Sequence, residues 1–224
     1  LLVVSTIAKP PGIPVFPPHA DPGGDCVLRR LLAARPAQAE VDWPEGFAGG
    51  ILHRLDTSTS GAVAYARDRD ELAVVRGLFA AHRLVKAYVF RAARRPAWPV
   101  NRCDAPIAHH PRRKDRMVVQ RGASTPHRGR WYPAETWFRR GDGDLVHASI
   151  TTGVMHQIRV HAAFLGAPLL GDRLYGGGAP PDDAPPGVAF FLHHLGFAGE
   201  GDQDLEVVSA PVAPPAWAEA ACGS

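Results

Sequence analysis

Cysteine and lysine are scarce in this chain, and long apolar runs are missing. The three cysteines, Cys26, Cys103 and Cys222, are far apart, odd in number and form no Cys-x-x-Cys. This excludes a disulfide framework and a cysteine-based zinc site, and it fits a reducing, cytoplasmic setting. No stretch approaches the ~20 apolar residues needed to cross a bilayer. The apolar opening Leu1 to Ala8 has no charged leader and is cut short by Lys9-Pro10-Pro11. It reads as a first strand rather than a signal peptide. An initiator Met is also absent. Eleven histidines are present, but His109-His110 and His193-His194 are adjacent pairs, and neither His-Glu-x-x-His nor His-x-His occurs. They read as packing or surface histidines, and no metal site is expected.

The lack of lysine leaves arginine to carry the positive charge. Lys9, Lys86 and Lys114 are the only lysines among 25 basic residues. The net charge of +3 is unevenly spread: residues 91–140 carry +10, residues 1–90 carry +1 and residues 141–224 carry −8. Arginine forks onto phosphates and stacks on bases, where lysine acts as a point charge. A concentrated basic middle fits nucleic-acid binding, and a solvated basic face explains it equally well. At 224 residues and 46% hydrophobic content the chain can fold without a disulfide or metal staple. A single domain over 1–224 is expected.

Periodicity gives an α+β pattern, one mixed sheet bearing helices. Residues 2–7 read as a strand, followed by a Pro-rich turn. Asp25 caps a helix with Val27, Leu28, Leu31 and Leu32 on one face, ended by Pro36. Residues 62–66 form a buried strand. Asp68 and Glu71 make a capping-box start for a helix bearing Leu72, Val75, Leu78 and Phe79. Residues 85–92 alternate as a strand. The arginine-rich stretch 94–130 reads as irregular, with one short strand at 117–120. Strands follow at 133–139 and 144–151, a helix at 156–165 stopped by Gly166 and Pro168, a loop at 171–187, and strands near 189–197 and 204–208.

Three segments carry candidate chemistry. In residues 49–66 an apolar entry leads to Asp56, then to a Thr/Ser/Gly turn and an apolar strand. Asp56 is a positioned carboxylate beside Arg54 and several hydroxyls, or a residue that caps the turn. In residues 151–176, Arg159 follows His156 by three on a helix and points into a cleft or out to solvent. In Lys86-Ala87-Tyr88, the Tyr lies on a strand, where its usual role is packing.

Their order resembles that of the RluA-type pseudouridine synthase family: Lys9 to Pro14, His53-Arg54-Leu55-Asp56 through Gly61, Lys86-Ala87-Tyr88, His156-Gln157-Ile158-Arg159-Val160-His161, and Gly171-Asp172-Arg173-Leu174-Tyr175-Gly176. The resemblance spans residue 3 to about residue 210. It implies a bent, mixed, largely antiparallel β-sheet with flanking helices and a central active-site cleft. It also implies Asp56 as the catalytic carboxylate, Tyr88 as the active-site tyrosine and Arg159 as the basic residue paired with the Asp. Arg54, His53, Thr59, His156, Gln157 and Lys9 are the expected RNA- or substrate-binding residues.

The activity so implied is isomerisation of uridine in rRNA or tRNA, by a monomer with no obligate protein partner and no membrane attachment. No cofactor is called for, because the reaction is redox-neutral. The small amino-terminal RNA-binding domain of many relatives is expected to be missing. One departure is Val154, which stands where the family pattern has an arginine. Two other readings stay open: a non-catalytic RNA binder on the same fold, and a nucleoside or glycoside hydrolase. The latter needs a second positioned acid, for which only Asp172 is available.

Overall fold

The computed structural model describes residues 1–200 and 206–221. In chain order the regular elements are β1 (Leu2–Val4), β2 (Thr6–Lys9), α1 (Val27–Ala34), α2 (Ala37–Glu40), β3 (Ser60–Ala64), α3 (Arg69–Ala80), β4 (Leu84–Arg91) and β5 (Val100–Cys103). They continue with β6 (Ile107–His109), β7 (Met117–Val119), β8 (Arg128–Tyr132), β9 (Thr136–Arg140), β10 (Leu145–Ile150), α4 (Gln157–Phe164), β11 (Leu192–Glu200) and β12 (Glu206–Ser209). Strand pairing is mixed and mostly antiparallel, with β1–β12 and β3–β11 as parallel ladders, so the expected α+β class holds. Among the described residues no helix is long and apolar enough to cross a membrane. The chain divides into two compact units.

The first unit comprises residues 1–86, 185–188 and 193–214. Its strands run in the order β1-β12-β11-β3-β2. Leu72, Val75 and Leu78, one face of α3, pack against Val4, Ala64, Leu84, Phe197 and Val207. Each such side chain contributes about 1.5–3 kcal/mol by leaving water. Asp68 caps α3, accepting the N–H of Glu71 at 2.8 Å. Glu71 accepts the N–H of Arg67 at 2.8 Å, a capping box displaced by one residue.

Two expectations change in this unit. The strand at 2–7 is two strands broken at Ser5, because β1 pairs with β12 while β2 pairs with β3. Asp25 is not the cap of α1. Cys26 holds that position without a side-chain bond, and Asp25 forms a two-pronged pair with Arg30 at 3.0 and 2.5 Å. A guanidinium five residues on is a stronger partner for the carboxylate than one orphan N–H.

Gly61, in β3, has φ +121, and a Cβ there would lie 2.2 Å from the carbonyl of His194. Only glycine lets β3 approach β11 so closely. Gly61→Ala is expected to cost about 2–4 kcal/mol from strain and overpacking combined. Urea unfolding would measure it, and a loss within ~0.5 kcal/mol would contradict this packing.

The second unit comprises residues 87–184, 189–192 and the stretch from 215 onward. It holds strands in the order β4-β10-β9-β5 and a separate antiparallel sheet β7-β6-β8. Ile107, Met117, Val119, Ala134, Val160 and Tyr175 form one cluster of its core, with Val154 packed against them. The residue in the arginine position is thus part of an apolar cluster.

The stretch 94–130 is not irregular as expected; it contains β5, β6 and β8 in addition to β7. These strands are three to five residues long and carry Arg102, Arg128 and Arg130 on exposed positions. Period-2 apolar alternation is therefore missing, and pairing with neighbours creates the strands. Elsewhere boundaries move by a few residues. The expected strand at 189–197 begins at Leu192, and positions 204 and 205 of the last expected strand lie outside the described residues.

Candidate active site

In the first unit Asp56 is half-buried at the head of a turn in which the Thr59 N–H donates to the Asp56 carbonyl at 3.0 Å. Lys9, paired with Gly61 at the end of β2, lies against the same turn. Its ammonium donates to the carbonyls of Thr59 at 2.6 Å, Thr57 at 2.7 Å and Pro10 at 3.1 Å. Lys9 is only 2% exposed and clamps the turn that carries Asp56. All three of its N–H donors are engaged. Burial lowers the Lys9 pKa to about 8, opposed by the nearby charge of Asp56.

This shift makes a test of the clamp. Unfolded Lys9 titrates near 10.5 and the folded residue near 8, so between those values the unfolded chain binds more protons. The contribution of Lys9 to stability therefore rises with pH across that window. Below about 8 the whole cost of burying the charge is present. The stability difference between wild type and Lys9→Met is expected to grow in favour of wild type, by up to about 1.4 kcal/mol per pH unit from pH 8 to 10. Denaturant titrations at fixed pH read this, and a flat difference would refute it.

His53 is also occupied within the unit. Its Nε2 accepts the N–H of Ala64 at 3.1 Å, and its ring meets that of His194 edge-on at 5.1 Å. Burial, then the charges of His194 and Lys86, hold its pKa well below the usual value. Ser60 Oγ and His193 Nδ1 are 2.9 Å apart, and His194 Nδ1 donates to the Ala62 carbonyl at 2.6 Å. Burial pushes both of these histidines down to about 4. Thr59 is buried at 2% exposure, while Arg54 is exposed. Of the RNA-contact expectations in this unit, the structure leaves Arg54 facing solvent.

In the second unit Tyr88 lies on β4 and is 7% exposed. Arg159, on α4, is not a solvent-exposed helical arginine; it is 7% exposed. Its Nε and one Nη donate to Asp172 at 2.7 and 3.1 Å. Its guanidinium stacks over Phe190 at 4.2 Å and Tyr175 at 5.1 Å. Asp172, 1% exposed, also accepts the N–H of Leu174 at 3.2 Å. It is held by a cation and a loop amide, not placed as the second acid of a hydrolase.

His156 caps α4 in the left-handed conformation at φ +57, its Nδ1 2.9 Å from the Tyr175 hydroxyl. The same hydroxyl accepts the Met117 N–H at 2.9 Å. Gln157 is 3% exposed, accepts from Thr152 and the Val154 N–H, and donates to the Glu135 carbonyl and Thr136. With its amide so committed it ties the turn before α4 to β9. His161 continues this network, with Thr136 on Nδ1 at 2.8 Å and the Ala105 carbonyl on Nε2 at 2.9 Å.

Sequence reasoning quoted the Gly171 to Gly176 motif but gave no part to Tyr175, and it missed Phe190 and the Ser60–His193 pair. The recurring motif was the available signal for Tyr175. Cys26 and Cys103 are free and buried, and Cys222 lies outside the described residues. Among the described residues no group of three His, Cys, Asp or Glu side chains is placed to hold a metal ion.

The chain matches the family model described as RNA pseudouridylate synthase over residues 3–164. It is 37% identical over 131 residues to RNA pseudouridine synthase 2, chloroplastic, of Oryza sativa subsp. japonica, covering 57% of this chain and 29% of that protein. It is 37% identical over 181 residues to ribosomal large subunit pseudouridine synthase D of Xanthomonas campestris pv. campestris, covering 78% and 49%. It is 30% identical over 220 residues to an uncharacterized RNA pseudouridine synthase of Synechocystis sp., covering 92% and 62%. The chain thus spans between about a third and three-fifths of the length of these relatives. Among solved structures, human RNA pseudouridylate synthase domain containing 1 superposes with a TM-score of 0.66 at 24% identity, covering 85% of this chain and 74% of that one. Human RNA pseudouridylate synthase domain containing 4 gives 0.65 at 24%, covering 95% and 85%. At that identity the likeness speaks to the fold.

Proposed function

Because the chain belongs to the RNA pseudouridylate synthase family, we propose that it isomerises uridines in ribosomal or transfer RNA to pseudouridine, with Asp56 as the catalytic carboxylate. The observation that carries this is a family match over residues 3–164 that contains Asp56, Tyr88 and Arg159. The reaction breaks the bond between N1 of uracil and C1′ of the ribose, rotates the base and joins C5 to C1′. N1 gains a proton and C5 loses one, so no oxidant is required. Asp56 adds to the base, attacks C1′ or takes a proton from the sugar; each route needs an ionised carboxylate. Tyr88 stacks on the base and takes the proton from C5. Arg159, fixed by Asp172 through two hydrogen bonds, supplies a cation.

A paired uridine is out of reach, so the target is flipped out or already in a loop, and exposed Arg54 fills the vacated stack. Since Lys9, His53 and Gln157 are engaged internally, phosphate contacts fall to the arginines of residues 91–140. Arg112, Arg113, Lys114, Arg121, Arg128 and Arg130 are all exposed there. The reading also places the protein in the cytoplasm, acting as a monomer. RNA carrying tritium at C5 of uridine tests the activity, because forming the new bond releases that hydrogen to water. Stoichiometric release supports the proposal; binding without release would leave a non-catalytic RNA binder.

A further inference from the structure

One cavity of the second unit is lined by none of Asp56, Tyr88 and Arg159. Its volume is about 630 Å³, within the range of roughly 300–1,000 Å³ that small-ligand sites occupy. Met117 and Val119 of β7, Val160 and Phe164 of α4, and Tyr175 give it an apolar wall, and Arg112, Arg116 and Arg121 line the remainder. Cations lie over ring faces here: Arg121 is 5.7 Å from the Phe164 centroid and Arg116 is 5.7 Å from that of Tyr175. Phe164 remains 39% exposed. Arg116 Nε is buried with no hydrogen-bond partner among the described residues.

Ring faces for a base, with arginines for its phosphate, are the elements of single-strand recognition. Exposed Arg113, Lys114, Arg128 and Arg130 lie along the same stretch of chain, which suits a continuing phosphate backbone better than an isolated small anion.

We propose that this cavity is a second nucleotide subsite, holding an unpaired nucleotide of the substrate RNA other than the target uridine. Its base lies against Phe164 and its phosphate is held by Arg112 and Arg121. The inference rests on RNA being the substrate, and it is read by binding, not turnover. The measurement is affinity of the full chain for a substrate RNA and for versions made abasic at single positions around the target. One abasic position is expected to weaken wild-type binding roughly 5- to 150-fold. The same abasic change should make little further difference in Phe164→Ala.

Arg112→Gln with Arg121→Gln should lower affinity at least tenfold and flatten its salt dependence by about two counterions. Arg29→Gln with Arg35→Gln, equal in charge and exposed on the first unit, should do clearly less. The subsite is overturned if no position is special, or if Phe164→Ala responds to every abasic RNA as wild type does. Equal losses in the two arginine pairs would also overturn it. Loss of tritium release in the wild type, with the abasic pattern intact, would instead remove the catalytic reading alone.

Discussion

Asp56→Asn is expected to abolish pseudouridine formation while RNA affinity stays within a few fold. The substitution keeps size and polarity but removes the negative charge that every available route requires. If Asp56 acts as a general base the loss is about 10²–10⁴-fold, and if it forms a covalent bond the loss is larger. Its position favours a clean result. The turn is held by the Thr59 N–H on the Asp56 carbonyl and by Lys9 on the carbonyls of Thr57 and Thr59, all backbone acceptors that the substitution leaves in place. The variant should therefore fold normally, by circular dichroism and melting, and fail in single-turnover assays. Turnover within tenfold of wild type would remove Asp56 from the mechanism.

Asp172→Ala is expected to cost about 3–5 kcal/mol, since it leaves the Arg159 guanidinium buried without its carboxylate. Arg159 and Asp172 are 7% and 1% exposed and joined by two hydrogen bonds, so solvent screening does little to soften the loss. For a chain of this length the melting temperature should fall by roughly 6–20 °C. Asp172→Asn retains an acceptor and should lose less. Replacing both partners with apolar residues, Arg159→Met with Asp172→Leu, should recover much of the stability, because an apolar pair escapes the desolvation cost. Turnover should not return if Arg159 has the catalytic part proposed for it. A loss under ~1 kcal/mol in Asp172→Ala would show that the pair is not the anchor described.

The parts of the fold legible in the sequence are those fixed by neighbours along the chain. Helix α3 follows from the Asp68 cap and from Leu72, Val75 and Leu78 at helical spacing, all within a dozen residues. Strands β5, β6 and β8 were not legible, because a partner strand rather than their own composition makes them strands. The break at Ser5 was hidden for the same reason, since two different strands claim the residues on either side of it.

The candidate site divides along the same line. Asp56, Tyr88 and Arg159 stood out through motifs, while their settings depend on distant residues. Nothing near Lys9 in the chain signals that its ammonium meets carbonyls 48 and 50 residues away. Gln157 was named for RNA through the motif it belongs to, and only the fold reveals that Thr152, Glu135 and Thr136 engage its amide. Val154 likewise reads as a lost arginine in sequence and as core packing in the structure.

The central claim is that Asp56 drives formation of a carbon–carbon glycosidic bond in RNA. The most direct measurement is carbodiimide mapping of ribosomal and transfer RNA after incubation with the wild-type chain and with Asp56→Asn. New pseudouridine is expected at one or a few discrete positions with the wild type and none with the variant. Free uracil in place of pseudouridine, or the same modified positions with both proteins, would contradict it.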